Sequence, residues 1–122
     1  MDNRFQIGLD AFNNGDYVTA LKEWTPLANE GDPSAQFSLG LMYKIGQGVK
    51  QNNKNAITWF KLAAKQGYAN AQSNLGVMYD NGDGVSKDYK TAIKWYTLAA
   101  KQGHVTAQFN LGMMYDIGEK TA

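Results

Sequence analysis

The sequence repeats itself with a fixed period. The segment that begins at Gly31 recurs with few changes at Gly67 and again at Gly103, each copy starting 36 residues after the last. Self-similarity at this spacing is typical of arrays in which each repeat is a small structural unit that packs on its neighbours. The period therefore predicts that residues 1–122 form a single repeat domain.

Each repeat contains two segments of helical length, because the strong helix breakers fall between them. In the first segment, the A helix, Ala35 and Leu39 lie on one face at helical spacing, and Ala56 and Phe60 do so in the second, the B helix. Small residues opposite large aromatic ones favour close packing of the two helices. The glycines expected at such close approaches are Gly40, Gly76 and Gly112. We expect seven helices, near residues 3–14, 17–30, 33–45, 53–66, 69–81, 89–102 and 105–117.

Charge and composition argue against several classes of partner. Twelve Lys and Arg residues against eleven Asp and Glu residues leave a formal net charge of +1, which is too small for a surface that binds nucleic acid. No apolar run approaches the roughly 18 residues of a membrane span. We expect a soluble protein, cytoplasmic as written, or periplasmic or secreted if a signal peptide has been removed, and the absence of cysteine is compatible with either.

The sequence offers little from which to build a catalytic or metal site. His104, the one histidine, occupies the position of Asp32 and Tyr68 in the other repeats, which indicates a surface residue. The acidic loop at residues 80–88 has an equivalent at 44–52 that builds the same turn without a carboxylate, so a structural turn is favoured over a calcium site. No phosphate-binding loop or nucleophile motif occurs. We predict no catalytic residue, metal or cofactor, and a protein that is not an enzyme.

The repeat motifs resemble those of a known family. The pattern A-x-x-x-L-G-x-x-Y-x-x-G-x-G-V starts at Ala35 and Ala71, and A-x-x-W-[FY]-x-x-A-A-x-x-G starts at Ala56 and Ala92. Both are similar to the Sel-one-like repeat, a relative of the tetratricopeptide repeat. The resemblance implies an all-α, right-handed superhelix of antiparallel helix pairs that serves as an adaptor or scaffold. It divides the chain into full repeats at 33–68 and 69–104, half a repeat at 105–122, and a first pair at 1–32 that looks more like a tetratricopeptide hairpin.

The resemblance also implies a concave groove lined by the A helices, which would hold a peptide or helix of a protein partner. Tetratricopeptide groove positions, carried over with Leu39-Gly40 as the anchor, give an apolar surface with polar edges and no clamp for a terminal carboxylate. Packing against the next A helix stays an alternative for the apolar members. The predicted groove residues are Phe37, Leu41, Lys44, Ser73, Val77, Asp80, Phe109, Met113 and Asp116, with Ser34, Ile45, Asn70, Asn81, Thr106 and Ile117 beside them.

The last A helix carries a second apolar surface, formed by Leu111, Met114 and Tyr115. Leaving three such side chains in water would forfeit on the order of 5–9 kcal/mol, so we expect this surface to be covered. Residues missing from the sequence, a partner, or the same surface of a second copy in a homodimer are the open alternatives. The alternative function is therefore a regulatory or inhibitory subunit that docks through this helix.

Overall fold

The computed structural model describes residues 2–121, with side chains described for residues 2–116. Over this range the chain forms seven helices and no strand, which confirms the predicted all-α fold. The predicted helix ends are correct to within one residue, except that the last helix continues beyond residue 117. The helices are α1 (Arg4–Asn13), α2 (Tyr17–Asn29), α3 (Pro33–Ile45), α4 (Asn53–Lys65), α5 (Ala69–Asn81), α6 (Tyr89–Lys101) and α7 (Val105–Thr121).

The helices stack in the order of the sequence. The A helices α1, α3 and α5 each pack on the B helix that follows, α2, α4 and α6, and every B helix packs on the next A helix. In addition, α5 contacts α7. The result is a right-handed superhelix of antiparallel pairs in which each repeat contacts its neighbours. No helix of the described part is both long and apolar enough to cross a bilayer.

Each helix pair is closed by an aromatic ring that lies against a helical glycine. A Cβ atom built on any of these glycines would overlap the ring, so no other residue fits without movement. The rings are almost completely buried. The three contacts are Trp24 on Gly8, Phe60 on Gly40 and Tyr96 on Gly76. At Gly112, which the sequence places at the same point of α7, a Cβ atom would meet no packed residue of the described part of the chain within 4 Å.

Pairs of glutamines join consecutive repeats. The buried Gln36 donates from Nε2 to the Ala28 carbonyl at 3.1 Å, and its Oε1 accepts from Gln66 Nε2 at 3.0 Å. Gln66 also donates to the Gly31 carbonyl at 2.9 Å. Gln72 and Gln102 repeat the arrangement 36 residues later at closely similar distances. Because a buried amide is costly to leave unpaired, these bonds fix the spacing between repeats.

Candidate functional site

An apolar cleft of about 270 Å³ opens between α1 and α3. This volume is slightly below that of typical small-molecule pockets and suits a few side chains of a peptide. No charged side chain lines it. The lining residues, which define the α1–α3 cleft, are Phe5, Leu9, Phe12 and Asn13 of α1, Trp24 of α2, Phe37, Ser38 and Leu41 of α3, and Tyr68 at the start of α5.

Ring contacts hold the aromatic side chains of the cleft in place. The Phe5 ring stacks on Trp24 at 5.7 Å between centroids, and Phe12 lies 5.7 Å from the same indole. On the other wall, Phe37 lies 5.2 Å from the ring of Tyr68. Phe5, Phe12 and Phe37 are only partly buried. Since these rings are already packed, a bound peptide would not have to order them, which lowers the entropic cost of binding.

A hydrogen bond also positions the first wall of the cleft. Trp24 Nε1 donates to the carbonyl oxygen of Phe5 at 3.1 Å, so the indole both supports the α1 rings and anchors the start of that helix. Arg4, next to Phe5, forms a two-point ion pair with Glu30 at the end of α2, with N–O distances of 2.7 and 2.9 Å. This pairing with Arg4 lowers the pKa of Glu30. Both contacts join α1 to α2 and help to position the wall that α1 presents.

The structure brings two of the nine predicted groove residues, Phe37 and Leu41, into the cleft. Ser73 is only 4% exposed, so a partner has no access to its side chain in this structure. Val77 and Asp80 are half-buried. Lys44 donates from Nζ to Asn74 Oδ1 at 3.2 Å, a contact between neighbouring A helices.

The three predicted groove residues of α7 lie outside the cleft. Phe109 is 66% exposed, Met113 is 49% exposed, and Asp116 is also exposed. The Ile117 side chain lies outside the described residues. The predicted groove is therefore not a single surface of uniform character: Phe37 and Leu41 lie at the α1–α3 cleft, Val77 packs at the edge of the core cluster around Tyr96, and the apolar members of α7 are exposed.

The cleft includes residues of α1 that the prediction omitted, although the sequence held a signal for them. Gly8 packs under Trp24 as Gly40 packs under Phe60, and these two glycines are 32 residues apart, not 36. A shift of 32 residues places Phe5, Leu9, Phe12 and Asn13 at the positions of Phe37, Leu41, Lys44 and Ile45. Tyr68 was missed because it stands at a helix start, not on the groove face of a helix.

The predicted C-terminal surface is partly exposed in the structure. Leu111 and Met114 are half-buried, while Tyr115 is 55% exposed. Leu111 and Met114 pack at the edge of the core cluster around Tyr96. Together with Phe109 and Met113, the helix presents large apolar side chains on more than one face.

None of the titratable groups with a shifted pKa lines the cleft, although Arg4 and Glu30 lie beside its α1 wall. The pKa of Asp16 and that of Asp88 are lowered, mainly by hydrogen bonds from the Thr19 and Thr91 side chains at the starts of α2 and α6. Burial raises the pKa of Tyr96 to about 12. No cluster of three or more potential metal-binding residues occurs in the described part of the chain. The cleft is lined mainly for apolar contact and contains no carboxylate, imidazole or amine.

His104 has a structural role at the start of α7. Its Nδ1 accepts from the Ala107 backbone N–H at 3.1 Å, as the Asp32 carboxylate accepts from Ala35 at the start of α3. Its Nε2 lies 2.8 Å from Asn70 Oδ1. The predicted surface residue is thus half-buried and caps a helix.

Comparison with known proteins agrees with the repeats seen here. The family model described as the Sel1 repeat matches residues 33–68, 69–104 and 105–121. The chain is similar to the crystal structure of a protective antigen of uropathogenic Escherichia coli strains that displays an SLR fold, with 39% identity and a TM-score of 0.91 over 94% of this chain. It is also similar to a Sel1 repeat protein from Oxalobacter formigenes, with 36% identity and a TM-score of 0.87 over 91% of this chain.

The chain is much shorter than these solved relatives, since the matched region covers 26% of the first and 46% of the second. No curated protein matches the sequence significantly. Proteins built from this repeat act in general as non-enzymatic scaffolds for protein interaction. With three consecutive repeat matches and two structural relatives above a third in identity, the chain belongs to the Sel1 repeat family.

Proposed function

We propose that the chain is a scaffold module that binds a protein partner by taking an apolar peptide or one face of an amphipathic helix into the α1–α3 cleft. One observation carries the proposal: partly exposed apolar side chains from two helices surround a single depression. The members that would contact the partner are Phe5, Leu9, Phe12, Phe37 and Leu41. The general role of the family in protein interaction supports the same function.

The lining of the cleft suggests what the partner segment contains. Each large apolar side chain that the partner buries would contribute about 1.5–3 kcal/mol, so two or three such anchors suffice for measurable binding. Asn13 and Ser38 supply polar atoms at the cleft for the backbone of a bound peptide. Because no charged residue lines the cleft, we expect aliphatic or aromatic anchors, with any charge of the partner outside the cleft.

Selection from a phage-displayed library of random peptides tests this function. We expect peptides selected on the wild-type chain to share apolar anchors and to lose at least about tenfold in affinity on Leu9→Lys or Leu41→Lys. Val18→Lys is the matched control, because Val18 is 76% exposed on α2 and does not line the cleft. Thermal melts check that each variant is folded. Selected peptides that bind both cleft variants as well as the wild type would refute the proposal.

A second candidate function is docking of a partner on α7. The exposure of Phe109, Met113 and Tyr115 favours it, since neighbouring large apolar side chains on a surface often mark an interface. A protein that docks there would lose binding to Met114→Glu and keep binding to Leu41→Lys. The reverse result would assign the interaction to the cleft. Light scattering of the free chain and of Met114→Glu shows whether a second copy uses the same face.

A further inference from the structure

The lysines of the chain are distributed unevenly. The B helices α4 and α6 together contain six lysines and no Asp or Glu. All other residues carry six cationic and eleven acidic side chains, a net charge of −5. The formal net charge of +1 is therefore the sum of two basic helices and an otherwise acidic chain. The six lysines are Lys54, Lys61, Lys65, Lys90, Lys94 and Lys101.

Helical spacing places these lysines on one side of each helix. In α4 the second and third lysines follow the first by 7 and 11 residues, and in α6 by 4 and 11 residues, which are offsets that return to the same side of a helix. Five of the six are exposed, and Lys61 is half-buried. Because consecutive repeats stack in the same way, the two rows are neighbours on the array. Together they form a surface that we call the lysine face.

The lysine face is exposed although both of its helices have neighbours on either side. α4 packs on α3 and α5, and α6 packs on α5 and α7. The large aromatic side chains of the two helices, Phe60 and Tyr96, are buried in these contacts. Since a repeat of this kind contacts only the repeats next to it, a longer array would leave the lysine face equally open.

The ammonium groups of the lysine face can reach a ligand. Within the described residues none of them forms an ion pair. Lys61 Nζ lies 5.8 Å from the ring centroid of Tyr79, and Lys94 Nζ lies 5.4 Å from that of Trp95. Such contacts with an aromatic ring keep the positive charge and leave N–H donors free. The carboxylate next to the face in sequence, that of Asp88, accepts hydrogen bonds from Thr91 at the start of α6.

Two leucines lie among the lysines at equivalent positions of the two repeats. Leu62 is 43% exposed and Leu98 is 37% exposed, and each follows the first lysine of its helix by eight residues. Exposed apolar side chains beside cations are typical of helices that lie in the interface of an anionic bilayer, where the apolar groups enter the acyl boundary. All the cations of the face are lysines. Lysine is a point charge that is attracted to many headgroups, whereas arginine is the usual residue for two-point recognition of single carboxylates.

We propose that the lysine face binds the surface of an anionic bilayer, with α4 and α6 lying along the lipid headgroups. The first B helix, α2, has a single lysine, Lys22, and is not part of this face. No residue of the face lines the α1–α3 cleft, so the cleft stays open to a protein partner while the chain is on the membrane. The inference goes beyond the scaffold function and does not depend on it.

Co-sedimentation of the full chain with lipid vesicles tests the proposal. We expect binding to vesicles of phosphatidylcholine with about 30% phosphatidylglycerol, and none to vesicles of phosphatidylcholine alone. Raising the salt concentration from about 0.05 M to about 0.5 M should weaken binding at least about tenfold, because salt screens exposed charges. Equal binding to both kinds of vesicle, or no binding to the anionic vesicles at low salt, overturns the proposal.

Variants locate the surface that binds the vesicles. Lys54→Glu with Lys90→Glu should weaken binding at least about tenfold. Both residues are exposed in the first turn of their helices, where a carboxylate is well tolerated. Lys22→Glu with Lys44→Glu makes the same change of charge on α2 and α3 and should stay within about threefold of the wild type. Thermal melts check that both variants are folded. Equal losses in the two variants would mean that binding follows the net charge of the chain, and the lysine face would be wrong.

The leucines distinguish a bilayer from another polyanion. Leu62→Ser with Leu98→Ser should weaken binding to the anionic vesicles at least about fivefold, because these side chains enter the bilayer. Polyglutamate and duplex DNA, at the same concentration of charge, should displace the chain from the vesicles only weakly. If either polyanion binds as tightly as the vesicles, or if the leucine variant binds vesicles like the wild type, the occupant is an acidic protein or a nucleic acid and the bilayer proposal fails.

Discussion

At the residue scale, the glycines of the A helices have the same place in each repeat but different surroundings. Gly8, Gly40 and Gly76 exclude a side chain so that a ring can pack on the helix backbone. Gly112 has the same place in the repeat, and nothing in the described part of the chain covers it. The sequence alone predicted a close approach at Gly40, Gly76 and Gly112 alike, because a repeat pattern does not reveal which copies have a neighbour.

Alanine at two of these glycines should have opposite effects on stability. A Cβ at residue 40 would lie 2.5 Å from Phe60 Cε1, so Gly40→Ala should lower the free energy of unfolding by about 1–3 kcal/mol. Gly112→Ala meets no neighbour among the residues whose side chains are described and should raise it by about 0.5–1 kcal/mol, since alanine favours the helix. Urea unfolding of both variants measures the difference, and a change of the same sign in both would contradict this packing.

At the element scale, the buried glutamines and the helix caps determine how helices begin and how repeats join. Asp16, Asp32, Asn52 and Asp88 each accept a backbone N–H three residues later at a helix start. These caps, at α2, α3, α4 and α6, and the glycines between the segments agree with helix ends that were predictable to within one residue. The glutamine pairs were not predicted, because a polar residue on a helix gives no sign in sequence that it will be buried.

Loss of a buried glutamine should cost more than loss of its exposed equivalent. Gln72→Ala removes the bonds to Ala64 and Gln102 at a site only 4% exposed, and should lower the free energy of unfolding by about 1–3 kcal/mol. Gln108→Ala, the matched control, should change it by no more than about 0.5 kcal/mol. Denaturant unfolding gives both values. Equal losses would mean that the second bond of Gln72 adds nothing.

The aspartate caps predict a specific loss of stability in acid. The folded-state pKa of Asp16 and that of Asp88 lie below the ordinary value of an aspartate, so the stability that the two caps contribute is complete well above that value and is lost as the pH falls through the lowered pKa values. Asn is an equally good cap and does not titrate. The double variant Asp16→Asn, Asp88→Asn should therefore lose less in melting temperature than the wild type between about pH 5 and pH 2. If the melting temperatures of the wild type and of the double variant fall by the same amount over this pH range, the lowered pKa values of Asp16 and Asp88 are wrong.

At the scale of the whole molecule, the sequence predicted the helical array almost completely but predicted only one wall of the cleft. The 36-residue period predicted the number and order of the helices, because each repeat packs on its neighbours in the same way. Phe37 and Leu41 were predicted at the binding surface and line the cleft. The α1 wall was missed because the connection between α1 and α2 is shorter than that between α3 and α4, which changes the period to 32. The burial of Ser73 depends on how closely helices approach, which the pattern does not specify.

The most direct test of the central claim is to map a selected peptide on the chain by ¹H–¹⁵N and methyl NMR. If the α1–α3 cleft is the binding site, addition of the peptide shifts the signals of Leu9 and Leu41 and of the amides around Phe37 and Tyr68. Signals of α6 and α7 then stay in place. Shifts confined to α7, with the Leu9 and Leu41 methyl signals unchanged, would contradict the account.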